Sequence, residues 1–268
     1  MKNDMIKVTA VSFLNTKPLL FGLVMNNLHQ AIQLTLEDPA SCASKLKNNE
    51  SDIALIPVAA IPEIPGARII SDFCIGSTDK VMSVCIFSEV PIEEIETVLM
   101  DYESRTSVML AYVLMKEYWK VNPQLKRAEP GFENLISGKT AAVVIGDKAM
   151  NLQGKFNYAY DLGEIWKLHT GLPFVFAAWV TTKEINDSFL LKFNQALESG
   201  IEQIPSLLYI LPNPNPQIDL HAYFTKNISY TLDSQKLAGL DLFFEKIKLY
   251  SEEFKITLQA ETEQGIRV

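Results

Sequence analysis

Ile6-Lys7-Val8-Thr9-Ala10-Val11-Ser12-Phe13-Leu14-Asn15-Thr16-Lys17-Pro18-Leu19 decides the fold class. Ile6 to Val11 is rich in β-branched and apolar residues, which suit a strand. Ser12 to Lys17 is a short connection. Pro18 then introduces the apolar run Leu19 to Met25, and a proline in the first helical turn forfeits no hydrogen bond. Asn15 and Thr16 are residue types that cap helices. The stretch reads as strand, short loop, helix.

The same alternation continues outward. Ile32 to Leu36 is a second strand, and Asp38-Pro39 starts a helix that runs to about Asn48. Asp52 to Ala59 is almost wholly apolar, the pattern of a strand covered on both faces. Arg68 to Ile75 and Val81 to Phe87 add two more strands. The order β-α-β-α-β implies an α/β fold with a mostly parallel sheet. A second unit starts near Ser88: strand Glu96 to Met100, the strongly apolar helix Ser104 to Trp119, and the buried strand Ala141 to Ile145. Phe174 to Val180 is a further apolar run. Beyond Thr181 only helices are expected, over 184–204, 219–224 and 234–254, with the turn-rich Leu211-Pro-Asn-Pro-Asn-Pro216 as a break between them.

A helical third without strands of its own needs a sheet to cover, and the first unit supplies one. Residues 1–88 and 177–268 are therefore expected to form one discontinuous lobe. Residues 89–176 form a second, inserted lobe, and the two chain crossings act as a hinge. In such folds ligands lie between the lobes, at strand C-terminal ends and helix N-termini.

Composition narrows the function. The chain has 268 residues, 48% hydrophobic and 21% charged, which is globular usage and excludes a disordered chain, a collagen or a coiled coil. A net charge of −8 argues against a broad nucleic-acid surface. A small anion remains possible, because local donors and not net charge hold it. Cys42, Cys74 and Cys85 form no C-x-x-C, and His29, His169 and His221 are far apart, so neither a disulfide framework nor a metal site is expected. Met-Lys-Asn-Asp-Met-Ile-Lys lacks the apolar core of a signal peptide, and no run is long enough to span a membrane. The expectation is a cytoplasmic protein without metal or cofactor. Walker, G-x-G-x-x-G, G-x-S-x-G and H-E-x-x-H motifs are absent, so nucleotide cofactors, serine-hydrolase chemistry and zincin chemistry have no support.

Two loops stand out. Ser12, Asn15 and Thr16 sit where a strand hands over to a helix, and the free N–H groups of a helix start suit an anion. Plain N-capping is the competing explanation. Asp101-Tyr-Glu-Ser104-Arg105-Thr106-Ser107 is the equivalent loop of the second unit, where a carboxylate would meet a guanidinium and N–H groups together. Capping by Ser104 or Thr106 is again the alternative. Ser83 is polar within an apolar run, so it lines the cleft or bonds backbone. Asp147, after Ile145-Gly146, orients a donor or caps the next helix. His169 lies in a Gly/Pro-containing loop and is either catalytic or structural. Two such loops facing one another would suit a ligand with two negative ends.

Together these residues resemble a known family. Val11-Ser-Phe-Leu-Asn-Thr-Lys-Pro-Leu19 is similar to the S-[YF]-L-N-x-x-P-L signature of menaquinone-pathway chorismate dehydratases. Ser104-Arg-Thr-Ser107, Ile145-Gly-Asp147, Asp161-Leu-Gly-x-x-Trp166 and Thr170-Gly-Leu-Pro-Phe-Val-Phe-Ala-x-Trp179 follow in the family's order. The resemblance spans about residues 6 to 180. It implies a two-lobed fold like type II periplasmic binding proteins, with a hinge and an inter-lobe cleft. It implies dehydration of chorismate, a small dianion, to 3-[(1-carboxyvinyl)oxy]benzoate in the futalosine route. It further implies catalytic or positioning roles for Asn15 and Ser83. Substrate contacts would come from Ser12, Thr16, Ser104, Arg105, Thr106 and, more weakly, Asp147. Lys17 falls at a variable motif position. The sister cyclase of that route carries a Ser-Pro-Cys-Pro-Asn-type first loop and a histidine where Ile145 stands, so both departures favour the dehydratase. A non-catalytic anion-binding protein of the same fold is the other alternative.

Overall fold

The computed structural model describes residues 5–26, 28–213 and 215–264, with side chains placed as far as Leu258. The first four residues of the N-terminal segment and Pro214 of the turn-rich break lie outside the described residues.

The opening stretch folds as read: β1 (Ile6–Val11), a 3-10 turn over Leu14–Thr16, then α1 (Lys17–Met25) with Pro18 in its first turn. β2 (Ile32–Glu37), α2 (Pro39–Lys47), β3 (Ile53–Pro57) and β4 (Arg68–Ser77) follow. β3 is buried at every position, as its continuous apolar pattern requires. The chain then passes through β5 (Val84–Ser88), β6 (Thr97–Met100), α3 (Thr106–Leu114), β7 (Gln124–Arg127), β8 (Thr140–Ile145), α4 (Gly146–Leu152), β9 (Tyr158–Asp161) and α5 (Leu162–Thr170). It returns through β10 (Phe174–Thr181) and ends in α6 (Asp187–Glu202), α7 (Ile204–Leu207), α8 (Leu220–Ala222), β11 (Ser229–Thr231) and the long α9 (Ser234–Gln264).

The strands form two sheets, ordered β11-β4-β10-β3-β1-β2 and β7-β6-β8-β5-β9. The expected mostly parallel sheet is not what forms. β1 pairs parallel with β2 and β3, but β10 pairs antiparallel with both β3 and β4, and β11 antiparallel with β4. In the second sheet β6 pairs parallel with β7 and β8, while β5 runs antiparallel to β8 and β9. β10 returns from α5 and the second sheet and inserts between β3 and β4, antiparallel to both.

The change of sheet also sits elsewhere than the sequence placed it. The reading put the outward crossing near Ser88, yet β5 pairs wholly within the second sheet, so the crossing lies between Ser77 and Val84. The whole of β10, from Phe174, lies in the first sheet, so the return comes before residue 177. The C-terminal third also carries one strand, β11, too short to show an alternation in sequence.

α1 and α6 pack on the first sheet at a crossing that only glycines permit. A Cβ on Gly22 would fall 1.9 Å from the Ala196 carbonyl oxygen, and one on Gly200 would fall 2.1 Å from that of Pro18. One continuous apolar core joins both sheets through Val81, Val84, Ile145, Phe174 and Phe176. The three cysteines are free and buried within it or its neighbour. Burial pushes the Cys42 and Cys74 thiols up to about 12, so they remain protonated.

Candidate functional site

A cavity of about 60 Å³ opens between the two sheets. Asn15 and Thr16 line it from the loop after β1, Ser104, Thr106 and Ser107 from the start of α3, and Ser83 from the approach to β5. Val11, Leu55, Ile75, Val81 and Phe176 supply apolar walls. Among the described residues no charged side chain contributes to the lining. An anion here would be held by hydroxyls, an amide and backbone N–H groups, in surroundings where each such bond is stronger than in water.

Each loop differs in detail from simple capping. Neither Asn15 nor Thr16 caps α1; the Thr16 hydroxyl instead donates to Asn15 Oδ1 at 3.3 Å. Ser104 does cap, accepting the Ser107 N–H at 3.0 Å. Thr106 Oγ1 accepts the Ala59 N–H at 3.2 Å, which ties the start of α3 to the 3-10 segment that follows β3.

Ser83 both lines the cavity and meets the backbone, with Oγ 3.5 Å from the Val81 carbonyl oxygen. Residues 81–83 are a tight turn about Met82, not the start of the strand that the sequence suggested. Asp161 holds this turn. Its carboxylate accepts the N–H groups of Val81 and Met82, at 3.0 and 2.7 Å, while also capping α5 through Gly163 and Glu164.

Asp147 does not line the cavity and does not cap α4. It lies in the first turn of α4 and accepts the Leu14 N–H at 3.1 Å, a bond from the second sheet's side to the first. Burial raises its pKa, and the Leu14 N–H partly offsets that. Beside it the Phe13 ring rests on Gly146, whose φ is +62°.

Two more of the expected contacts lie away from the lining. Ser12 is exposed, with its N–H on the Glu37 carbonyl oxygen. Arg105, just before α3, is also exposed and pairs with Glu63 at 3.1 Å, so its guanidinium is engaged outside the lining. His169 belongs to the last turn of α5, where Nε2 meets Glu117 Oε2 at 3.1 Å, and it is remote from the lining. Glu117 also takes Lys246 and Tyr250 from α9. Among the described residues no group of three or more His, Cys, Asp or Glu is placed to hold a metal ion. No helix among them is long and apolar enough to cross a membrane.

Two residues escaped the sequence reading. Tyr223 donates to Ser83 Oγ at 3.0 Å, and Tyr230 donates to the Asn15 carbonyl oxygen at 2.9 Å. Both tyrosines are buried, which pushes their phenols up and keeps them neutral donors. A Tyr-x6-Tyr spacing in a helical region carries no signal for this; only the fold brings it to the cleft.

The chain is similar to known proteins. A family model described as menaquinone biosynthesis matches residues 6–249. The chain is 28% identical over 204 residues to the chorismate dehydratase of Thermus thermophilus, covering 68% of this chain and 73% of that protein. Among solved structures it resembles protein AF1704 from Archaeoglobus fulgidus, with a TM-score of 0.67 at 12% identity over 94% of this chain and 99% of that one. It also resembles the ligand-binding component of an ABC-type import system from Staphylococcus aureus, with a TM-score of 0.60 at 14% identity and 92% of each chain covered. The Candida albicans CA3427 gene product, which exhibits the generic periplasmic-binding-protein fold, matches with a TM-score of 0.55 at 14% identity, over 91% and 94% of the two chains. These likenesses show a periplasmic-binding-protein type of fold. With the matched region running from the first strand into the last helix, the chain belongs to the menaquinone biosynthesis family.

Proposed function

We propose that the protein dehydrates chorismate to 3-[(1-carboxyvinyl)oxy]benzoate. The observation that carries this reading is the cavity lining: Asn, Ser and Thr donors from both sheets, converging between two helix-start loops, with no charged side chain among them. Such a site binds and orients a small dianion, and the Thermus thermophilus relative is a chorismate dehydratase.

The reaction asks little else of the protein. A ring C–H proton is removed, the neighbouring C–O bond breaks, and the hydroxyl leaves with a proton as water. The ring becomes aromatic, so the step is strongly downhill and positioning with charge stabilisation suffices. Among the described residues no carboxylate, histidine or lysine lines the cavity. That supports the base implied by the family resemblance, the substrate's own enolpyruvyl carboxylate. Asn15 and Ser83 meet the reacting end, and Ser104, Thr106 and the N–H groups at the start of α3 hold a carboxylate. Arg105 attracts the anion from the rim.

The two sheets act as lobes that part to admit substrate, since about 60 Å³ holds only a few waters. No metal or cofactor takes part, and the step belongs to the cytoplasm. Purified protein incubated with chorismate alone should yield an ultraviolet-absorbing aromatic product, one water lighter by mass spectrometry. Intact chorismate with folded protein would overturn the reading. Thermal stabilisation by chorismate without product would mark a binding protein instead.

A further inference from the structure

Tyr223 lies 140 residues from Ser83 in sequence, and its hydroxyl is 3.0 Å from Ser83 Oγ. The Asn15 side chain acts electrostatically on the same phenol. One buried ring thus bonds the serine at the entry of β5 and lies under the influence of the loop after β1, the two places that carry the residues given to the reacting end above.

The segment carrying Tyr223 is built to stay in place. Tyr223 starts a π-helical turn, Tyr223–Asn227, closed by the Ile228 N–H on the Tyr223 carbonyl oxygen at 2.9 Å. Such turns are rare and frequent at functional sites. Asn227 Nδ2 donates to the Lys80 carbonyl oxygen at 3.0 Å, and Tyr230 donates to that of Asn15. The segment therefore grips both the turn before β5 and the loop after β1.

A serine hydroxyl has one proton and two lone pairs. Tyr223 occupies one lone pair of Ser83. The Ser83 hydroxyl donates to the Val81 carbonyl oxygen only at 3.5 Å, the limit of a useful bond. The remaining direction for that proton is the cavity that Ser83 lines.

We propose that Tyr223 is a positioning residue for the dehydration: its phenol fixes Ser83 Oγ as an acceptor and so presents the Ser83 proton to the bound substrate. The inference rests on the dehydratase reading. No proton need be transferred from Tyr223; it sets the direction of the serine hydroxyl.

Tyr223→Phe removes one oxygen and keeps the ring. It should lower kcat roughly 10- to 100-fold, a part of what the loss of an oriented donor costs, with KM for chorismate and Kd for the aromatic product within about threefold. A merely structural role would move Tm and leave kcat near wild type. If Tyr223 acts through Ser83, Ser83→Ala and Ser83→Ala/Tyr223→Phe should turn over at the same rate within about twofold, because the two form one unit. Full kcat in Tyr223→Phe, or losses that multiply in the double variant, would overturn the inference while wild-type turnover keeps the dehydratase reading. Absence of wild-type turnover would sink that reading instead. The pairing is then read from Tm across the same three variants: non-additive shifts are expected, and additive shifts would show the hydroxyls uncoupled and overturn it.

Discussion

Asp161 Oδ2 accepts the Met82 N–H at 2.7 Å, and Met82 is a non-glycine residue held at a φ of +64° immediately before Ser83. The Ser83 N–H closes back on the Val81 carbonyl oxygen at 2.8 Å, so Met82 is the centre of a three-residue turn of the rare, strained hand. Strain of this kind costs of order 1–3 kcal/mol and persists only where the surroundings impose it. Asp161 imposes it here, and so decides where Ser83 points.

Asp161→Asn keeps one acceptor oxygen but sets an NH₂ group against backbone donors. At least one of the N–H groups of Val81, Met82, Gly163 and Glu164 is then left unpaired in the interior. The expected loss is about 2–3 kcal/mol of stability, together with a fall in kcat from the displaced Ser83. Urea unfolding and turnover on the same preparation check both; a stability change under about 0.5 kcal/mol would show the turn to be self-supporting.

Gly146→Ala tests the contact across the cleft. The left-handed φ of +62° alone costs an L-residue about 1–2 kcal/mol. The added Cβ would also come to 3.3 Å from three Phe13 ring carbons. Stability should fall by about 1–2 kcal/mol and KM should rise, because the same contact joins the two sides of the cavity. Phe13→Leu in the Gly146→Ala background should recover part of the KM change but not the backbone cost. Equal stability of Gly146→Ala and wild type in urea melts would contradict the assignment.

Asn15→Ala and Ser83→Ala each remove a polar group aimed at the cavity. Each is expected to lower kcat by about 10²-fold or more, the scale of one oriented donor. Stopped-assay product yields against chorismate report it, and full rate in both variants would mean that the chemistry lies elsewhere.

Asp101 predicts a pH dependence. It sits at the end of β6 behind the Ser104 loop, buried, and burial raises its carboxyl to about 6 despite the N–H groups of Glu103 and Ile145. Below 3.8 the group is protonated in both states. Between 3.8 and about 6 the folded state keeps a proton that the unfolded state has released. Stability therefore falls as pH rises through this window, by up to about 3 kcal/mol from this group. Asp101→Asn should flatten that part of the curve in urea melts run from pH 4 to 7. Parallel curves for wild type and variant would remove Asp101 as the cause.

The strands that were legible in sequence are those whose pattern is local. β3 and β8 are near-continuous apolar runs buried on both faces, and β1 is β-branched and apolar beyond Lys7, so composition alone marks them. β7 buries only Leu125 of its four residues, and β11 is three residues long, so neither leaves a periodic trace. Strand direction was not legible either, since β10 has the same apolar run whichever way it pairs. The loop motifs holding Asn15, Ser83, Ser104 and Thr106 were readable, and the fold brings those four to one cavity. The charge of Arg105 marks it in sequence as an anion contact. Its side chain is long enough to leave the loop, and on the rim it finds Glu63.

Residue order along the chain thus settled most of the elements and the two helix-start loops, because capping chemistry and hydrophobic period act over a few neighbours. Pairing across the chain settled the rest. Asp161 acts on a turn 80 residues away, Tyr223 on a serine 140 residues away, and Asp147 on an amide 133 residues away. Such bonds depend on where two sheets are set by a shared core, and no short-range propensity encodes that.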